Sequence, residues 1–180
     1  MLLKQLSEIL QDGQEAELNA AFAAFSCRDK DVENFLKTKA IEHERRKKSR
    51  TYLVLAEADE LCVLAYFTLS LKILTFDSEL SKTAIQTIDG FNKRAKAVPV
   101  MLIGQFGKDS AAAAVESLTG DTLMSLCKYY LGGAQSIVGG RVALVECLPV
   151  APVMSFYERN GFKFLQKDEN DKYHQMILTL

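Results

Sequence analysis

The 180-residue chain has only two histidines, His43 and His174, and none of its four cysteines, Cys27, Cys62, Cys127 and Cys147, forms a CxxC pair. A structural zinc site needs closely spaced Cys and His ligands, and a disulfide scaffold needs a denser cysteine set, so neither is expected and no metal ligands are assigned. A dominant charge is also missing: 22 basic residues face 23 acidic ones, a net of −1. So weak an overall field gives no reason to expect nucleic acid or an anionic membrane as partner unless a local patch supplies one. No stretch approaches the roughly 20 apolar residues of a membrane span. The start, MLLKQLSEILQDGQ, reaches charge too soon for the apolar core of a signal peptide. A cytoplasmic protein with reduced thiols is the expectation.

What is present is apolar material, 48% of the residues. Over this length that supplies one sizeable core and is short for two full domains, so a single domain over 1–180 is expected. Leu2, Leu3, Leu6, Ile9 and Leu10 fall at helix-like intervals, although this stretch can also pair as a strand. The run DVENFLKTKAIEHERRKK has a cap in Asp29 or Asp31 and apolar Val32, Phe35, Leu36, Ala40 and Ile41 at helical spacing. It predicts an amphipathic helix ending near Lys48, with basic residues at its last turn. TYLVLA at 51–56, the turn EADE and the apolar run from Leu61 to Phe76 predict a hairpin.

A short helix lies within 78–96, interrupted by Gly90. VPVMLIGQF, at 98–106, is continuously apolar and bounded by turn chemistry, which marks a strand buried on both faces at the centre of the sheet. The spacing of Leu123, Leu126, Cys127 and Tyr130 predicts a helix over 119–132 stopped by Gly132 and Gly133, with 136–140 extending it past a kink. RVALVECL at 141–148 is a further buried strand. A helix over 153–160 ended by Gly161 follows, then two strands at 163–166 and 174–180. The strand-helix-strand unit in the middle demands a parallel crossover, so the chain is an α/β layered domain.

Two pieces carry chemistry. A buried strand leading through a small-residue loop to a helix start converges backbone N–H groups and the positive end of the helix dipole, which suits an anion. Thr119, Gly120 and Thr122 leave those amides uncrowded, whereas Asp121 competes for the same field. The plain alternative is a connector capped by Thr119. In SFYERNGF, at 155–162, the adjacent Phe156 and Tyr157 point in different directions, so one can pack while the other reaches a cleft. Such a pair is more often core than catalytic, but Tyr157 there can donate a proton.

The strand VPVMLIGQFGK, the helix start TGDTL, the strand VALVECL and above all SFYERNGF occur in an order that resembles the GCN5-related N-acetyltransferases. With VENFLKTKAIEHERRKKSRTYLVL upstream, the likeness is to a bacterial subgroup related to toxin-type acetyltransferases, and it covers roughly residues 25–180. The resemblance implies a single α/β domain whose mixed central sheet splays between its fourth and fifth strands, flanked by helices. Acetyl-CoA would lie in that wedge, its pantetheine amides pairing with the backbone of Leu102, Ile103 and Gly104 as an added strand does. The resemblance places its pyrophosphate at Thr119, Gly120, Asp121 and Thr122, and Phe156 also on the cofactor side. Tyr157 matches the family's general acid.

Glu146 is the carboxylate best placed to act as base, and alternation sends Glu146 and Cys147 to opposite faces, so only one can face the cleft. Cys147 as an acetyl-enzyme nucleophile is the lesser reading, because a small buried cysteine is the commoner case. In the toxin-like relatives, surfaces comparable to Arg45, Arg46, Lys47, Lys48 and Arg50 meet the phosphates of aminoacyl-tRNA, whose amino group is the acetyl acceptor. The plain reading of that cluster is a solvated helix end favoured by the dipole. A small amine or a protein N-terminus is the other acceptor class, and a small antitoxin protein and a homodimer are the implied partners. The family closes its phosphate turn with an Arg or Gln and closely spaced glycines, whereas AAAAVESLTGD is longer and keeps only Gly120. That departure motivates the rival reading of a catalytically degenerate fold that binds a ligand or partner.

Overall fold

The computed structural model describes residues 1–58, 60–111 and 118–180. Asp59 of the EADE turn and 112–117 of the small-residue loop, on which part of the departure from the family falls, lie outside the described residues. In chain order the elements are β1 (Leu2–Gln5), α1 (Leu6–Gln11), α2 (Glu15–Ala24), α3 (Lys30–Thr38), α4 (Ala40–Arg45), β2 (Arg50–Leu55) and β3 (Val63–Thr75). There follow α5 (Lys82–Asp89), β4 (Ala97–Lys108), α6 (Gly120–Val138), β5 (Val142–Cys147), α7 (Ala151–Arg159), β6 (Lys163–Lys167) and β7 (His174–Thr179). The strands form a seven-stranded sheet in the order β1-β2-β3-β4-β5-β7-β6, with β4 in the middle as its apolar sequence predicts. The sheet is mixed: β4 and β5 run parallel, while β1–β2, β2–β3, β5–β7 and β6–β7 are antiparallel. The parallel register is Met101↔Ala143, Leu102↔Leu144 and Ile103↔Val145. Beyond it β4 continues to Lys108, from the point at which divergence of the fourth and fifth strands is expected.

The chain divides into two compact units. The first comprises Met1–Ser70 and Gly104–Cys127. Its core gathers Leu6, Ile9, Leu18, Phe22, Phe25, Leu36, Leu53 and Tyr66. A buried carboxylate organises its polar interior. Glu44, 3% exposed, accepts from Gln5 Nε2 at 3.1 Å, Arg50 Nη1 at 2.9 Å and the Thr51 amide at 2.7 Å. The second unit comprises Leu71–Ile103 and Lys128–Leu180. Leu74, Ile88, Val98, Val100, Val142 and Leu144 make its core.

Three expectations are corrected. The start of the chain is neither one helix nor one strand but β1 followed directly by α1, and 15–24 adds a helix that its alanine-rich pattern did not announce. The helix expected to run to Lys48 is two helices, capped by Asp29, broken at Lys39 and finished at Arg45. At the break Thr38 turns its hydroxyl back onto the Asn34 carbonyl at 2.7 Å, a contact that competes with helical hydrogen bonding and bends the chain. The double glycine stops nothing, because α6 runs through Gly132 and Gly133 to Val138. Buried Leu123, Met124, Cys127 and Leu131 hold that helix by packing, which outweighs a glycine penalty of about 1 kcal/mol each. The chain leaves the helix at Gly139, whose φ of 75° suits glycine.

Removing the acceptor at Glu44 strands three donors, two of them in or beside the core. Glu44→Ala is expected to lower unfolding stability by about 2–4 kcal/mol. Urea denaturation checks this, and Glu44→Gln, which keeps one acceptor oxygen, is expected to recover part of the loss.

Candidate active site

In the first unit the end of β4 is stapled to the loop that follows α2. Asp109 accepts the Ser26 amide on Oδ2 at 2.8 Å and the Ala111 amide on Oδ1 at 2.7 Å. Backbone bonds from Ser110 N to Ser26 O and from Asp109 N to Leu64 O complete the staple. The loop itself is locked by Glu33, which accepts from the Cys27 amide at 3.1 Å, Lys30 Nζ at 2.7 Å and Lys37 Nζ at 2.9 Å. These donors, with Lys30 and Lys37 foremost, hold the Glu33 carboxyl down to about 2. Tyr66 donates its hydroxyl to the Val32 carbonyl, and burial raises its phenol. Between the loop and the strand end is a pocket of about 430 Å³ lined by Cys27, Arg28, Asp29, Phe106, Lys108 and Asp109. Burial raises the Cys27 thiol, and its Sγ donates to the Asp29 carbonyl, so it rests as a thiol.

The helix mouth is capped from within the chain. Thr119 Oγ1 accepts the Thr122 amide at 3.0 Å and lies 2.9 Å from the Thr122 hydroxyl. Asp121 stands in the first turn beside this cap, so any anion at the mouth would compete with both. Sequence reading passed over Lys108, whose ammonium donates to the Leu118 carbonyl beside the same cap. Its only sequence signal was its place at the end of the strand GQFGK.

The basic cluster divides in two. Arg45 pairs with Glu15, Arg46 with Glu42 at 2.8 Å and Arg50 with Glu44. Lys47, in a left-handed turn with φ of 58°, and Lys48 are exposed beyond the end of α4. They are the two positive charges of the five with no salt bridge among the described residues.

In the second unit α7 opens with Pro152 in its first turn, where a missing amide is harmless. Tyr157, 7% exposed, stands edge-on to Phe156 at 5.1 Å and to Phe162 at 5.5 Å. Gly161, at φ of 85°, lets the chain double back so that the Phe162 amide donates to the Tyr157 carbonyl at 3.0 Å. The Arg159 guanidinium lies 5.0 Å over the Phe156 ring. The tyrosine ring is thereby fixed by both its neighbours in the motif. Leu102 and Ile103 are within the β5 register, so any added strand takes its hydrogen bonds from the positions of β4 that this ladder leaves over.

Glu146 is engaged on its own face. Its carboxylate receives Lys72 Nζ at 2.7 and 2.6 Å and Gln175 Nε2 at 2.8 Å. Cys147 faces the other way and is buried, and burial pushes its thiol up to about 11. A thiol held protonated at neutral pH is a poor nucleophile. No group of three or more His, Cys, Asp or Glu side chains among the described residues is arranged to hold a metal ion.

No protein-family model and no curated protein matches the chain. Solved structures do. A tyrosine-to-phenylalanine mutant of KacT superposes with a TM-score of 0.71 at 21% identity, over 88% of this chain and 86% of that one. AtaTR bound with acetyl-CoA gives a TM-score of 0.70 at 21% identity over 99% and 92%. AtaT complexed with acetyl-methionyl-tRNAfMet gives 0.67 at 22% over 85% of each. The chain has the GCN5-related N-acetyltransferase fold. Within that fold β4, the mouth of α6 and α7 are the elements to which the sequence motifs assigned cofactor strand, phosphate turn and tyrosine.

Two predictions follow from the first unit's latch. The stabilisation carried by Glu33, whose carboxyl is held below its ordinary value of 4.5, is complete above that pH and is lost as pH falls toward about 2. Hydrogen exchange of the loop amides at 25–29 across that range, corrected for the intrinsic rate, is expected to show opening of the loop on acidification, and Glu33→Gln is expected to flatten the dependence. At Gly107 an added Cβ meets Val32 Cγ1 at 2.5 Å. Gly107→Ala is therefore expected to cost about 1–3 kcal/mol in thermal or urea unfolding, as overpacking does.

Proposed function

We propose that the protein is an acetyl-CoA-dependent N-acetyltransferase whose acceptor is the amino group of an aminoacyl-tRNA. The observation that carries the reading is Tyr157, buried and clamped between Phe156 and Phe162 on the helix after β5, in a fold shared with a structure bound with acetyl-CoA. In this scheme Tyr157 Oη donates the proton that the departing thiolate takes up, and backbone groups of Leu102, Ile103 and Gly104 hold the pantetheine arm. The amides at Thr119, Gly120, Asp121 and Thr122 face the pyrophosphate, assisted by Lys108, and Phe156 packs on the cofactor side. Glu146 is the carboxylate nearest to a base role, tempered by its pairing with Lys72.

The acceptor assignment draws on two sources. A neighbour in fold is complexed with acetyl-methionyl-tRNAfMet, and Lys47 and Lys48 offer two charges with no salt bridge among the described residues at the end of α4 for a phosphate backbone. Arg45, Arg46 and Arg50 join them only by giving up carboxylate partners. A small antitoxin partner and a homodimer belong to the same proposal; a neighbour in fold is bound to the C-terminus of the antitoxin AtaR. A second reading, a ligand-binding module without catalysis, is favoured by the helix mouth, where the Thr119 cap already occupies the Thr122 amide.

Calorimetric titration with acetyl-CoA separates the readings at the first step, since absence of binding at high micromolar concentration overturns the enzyme. Tyr157→Phe is expected to keep binding and lose at least about 100-fold in acetyl transfer to aminoacyl-tRNA, the scale of a lost general acid. Growth arrest on expression of the wild type but not of Tyr157→Phe is the cellular counterpart. Lys47→Ala with Lys48→Ala is expected to reduce the salt slope of tRNA binding by about 2, read from affinities at several salt concentrations.

A further inference from the structure

Three sulfurs meet in the interior of the second unit. Cys147 Sγ lies 3.9 Å from Met154 Sδ and 3.7 Å from Met176 Sδ. The arrangement follows from the sheet. Cys147 on β5 is registered opposite His174 on β7, and Met176 is two residues along the same strand. Residues directly opposite, and their i+2 neighbours, share a face, so Cys147, His174 and Met176 all point to one side. Met154 comes down on them from α7. Cys147 is 6% exposed and Met176 fully buried. The His174 ring lies against Phe164 at 4.7 Å, and its Nδ1 is buried with no hydrogen-bond partner among the described residues.

A buried ring nitrogen without a partner is costly and calls for an occupant. The sulfur spacing says which kind. Two sulfurs on one tetrahedral metal, each at about 2.3 Å, stand about 3.8 Å apart, which the observed 3.9 and 3.7 Å bracket. Thioethers are soft, uncharged donors that bind hard cations poorly, and a set of one thiol and two thioethers selects a soft monovalent ion. Simple core packing explains the burial of the sulfurs but leaves the imidazole nitrogen without a role.

We propose that Cys147, Met154 and Met176, with His174 as the fourth ligand, form a binding site for a soft monovalent metal ion of the Cu(I) class. Binding breaks the Cys147 S–H bond and forms a sulfur–metal bond, the proton passing to solvent; no electron is transferred. The site stands apart from the acetyltransferase reading, and neither depends on the other.

The test is an anaerobic titration of the reduced full chain, carrying Cys62→Ser to remove the exposed thiol, with Cu(I) in competition with the chromophoric chelator bicinchoninate. One Cu(I) per chain is expected, with X-ray absorption reporting a sulfur-dominated shell. Cys147→Ser is expected to abolish uptake, Met176→Leu and His174→Gln each to weaken it tenfold or more, and Cys127→Ser to leave it unchanged. Met176→Leu nearly conserves core volume, so with its fold checked by circular dichroism it decides the matter even where Cys147→Ser does not fold. No uptake at equimolar chelator, or uptake that survives both Cys147→Ser and Met176→Leu, overturns the site.

Discussion

A carboxylate cannot be buried unless donors replace the water it leaves, and Glu44 sets the first unit's architecture through that requirement. Its three donors come from the β1–α1 junction, from the first residue of β2 and from the amide that follows it. Residues 39 and 6 positions away in sequence are thus brought to one point. The same demand reaches the surface. Arg50, which the sequence groups with four other basic residues, is committed to Glu44, and Arg45 is turned toward Glu15. A charge run in a sequence counts cations without their partners. Folding here leaves two of the five without a carboxylate partner among the described residues.

A second long-range commitment fixes the exit of the central strand. Asp109 holds Ser26 across 83 positions of sequence, and Gly107 admits Val32 where any side chain would collide. The glycine between Phe106 and Lys108 is therefore a packing requirement. The functional consequence is that the strand end, the pocket beside it and the loop after α2 form one rigid set, with Glu33 as the lock that ties the loop to α3.

How much of this could be read from the chain depends on the range of the interaction. Strands with uninterrupted apolar runs, such as β4 and β5, and the helix ended by Gly161 are local matters and emerged close to their observed bounds. So did the order of motifs that carries the likeness of fold. The short β1 and the helix over 15–24 did not, because their identity comes from packing against partners remote in sequence: Leu18 and Phe22 are core residues in a segment whose alanines blur any amphipathic face. The double glycine misled because a stop is set by φ, and it is Gly139 and Gly140, not Gly132 and Gly133, that adopt positive φ there. Around the candidate site, the helix that carries Tyr157 and the capping role of Thr119 were legible from local pattern. The Lys72 partner of Glu146 was not, since it comes from β3, two strands away in the sheet, nor was the His174 opposite Cys147, which strand register creates.

The pairing of Glu146 bears on what the acceptor can be. An amine attacks a thioester only when neutral, and the Glu146 carboxylate is already engaged by Lys72 at 2.6 Å. The burden then falls on the amine itself. A lysine ε-amine, near 10.4, is neutral in only about one molecule in a thousand at pH 7.5, whereas an α-amine near 7.8 is neutral in about a third. Esterifying the adjacent carboxyl removes its negative charge and lowers the amine further. On the proposed reading, with Tyr157 as the acid and Glu146 engaged by Lys72, an acceptor that arrives largely deprotonated is favoured. Among biological amines an aminoacyl ester meets that condition better than a lysine side chain. Under that proposal the ion pair at Glu146 is compatible with acetyl transfer, because the substrate's own acidity reduces the need for a base.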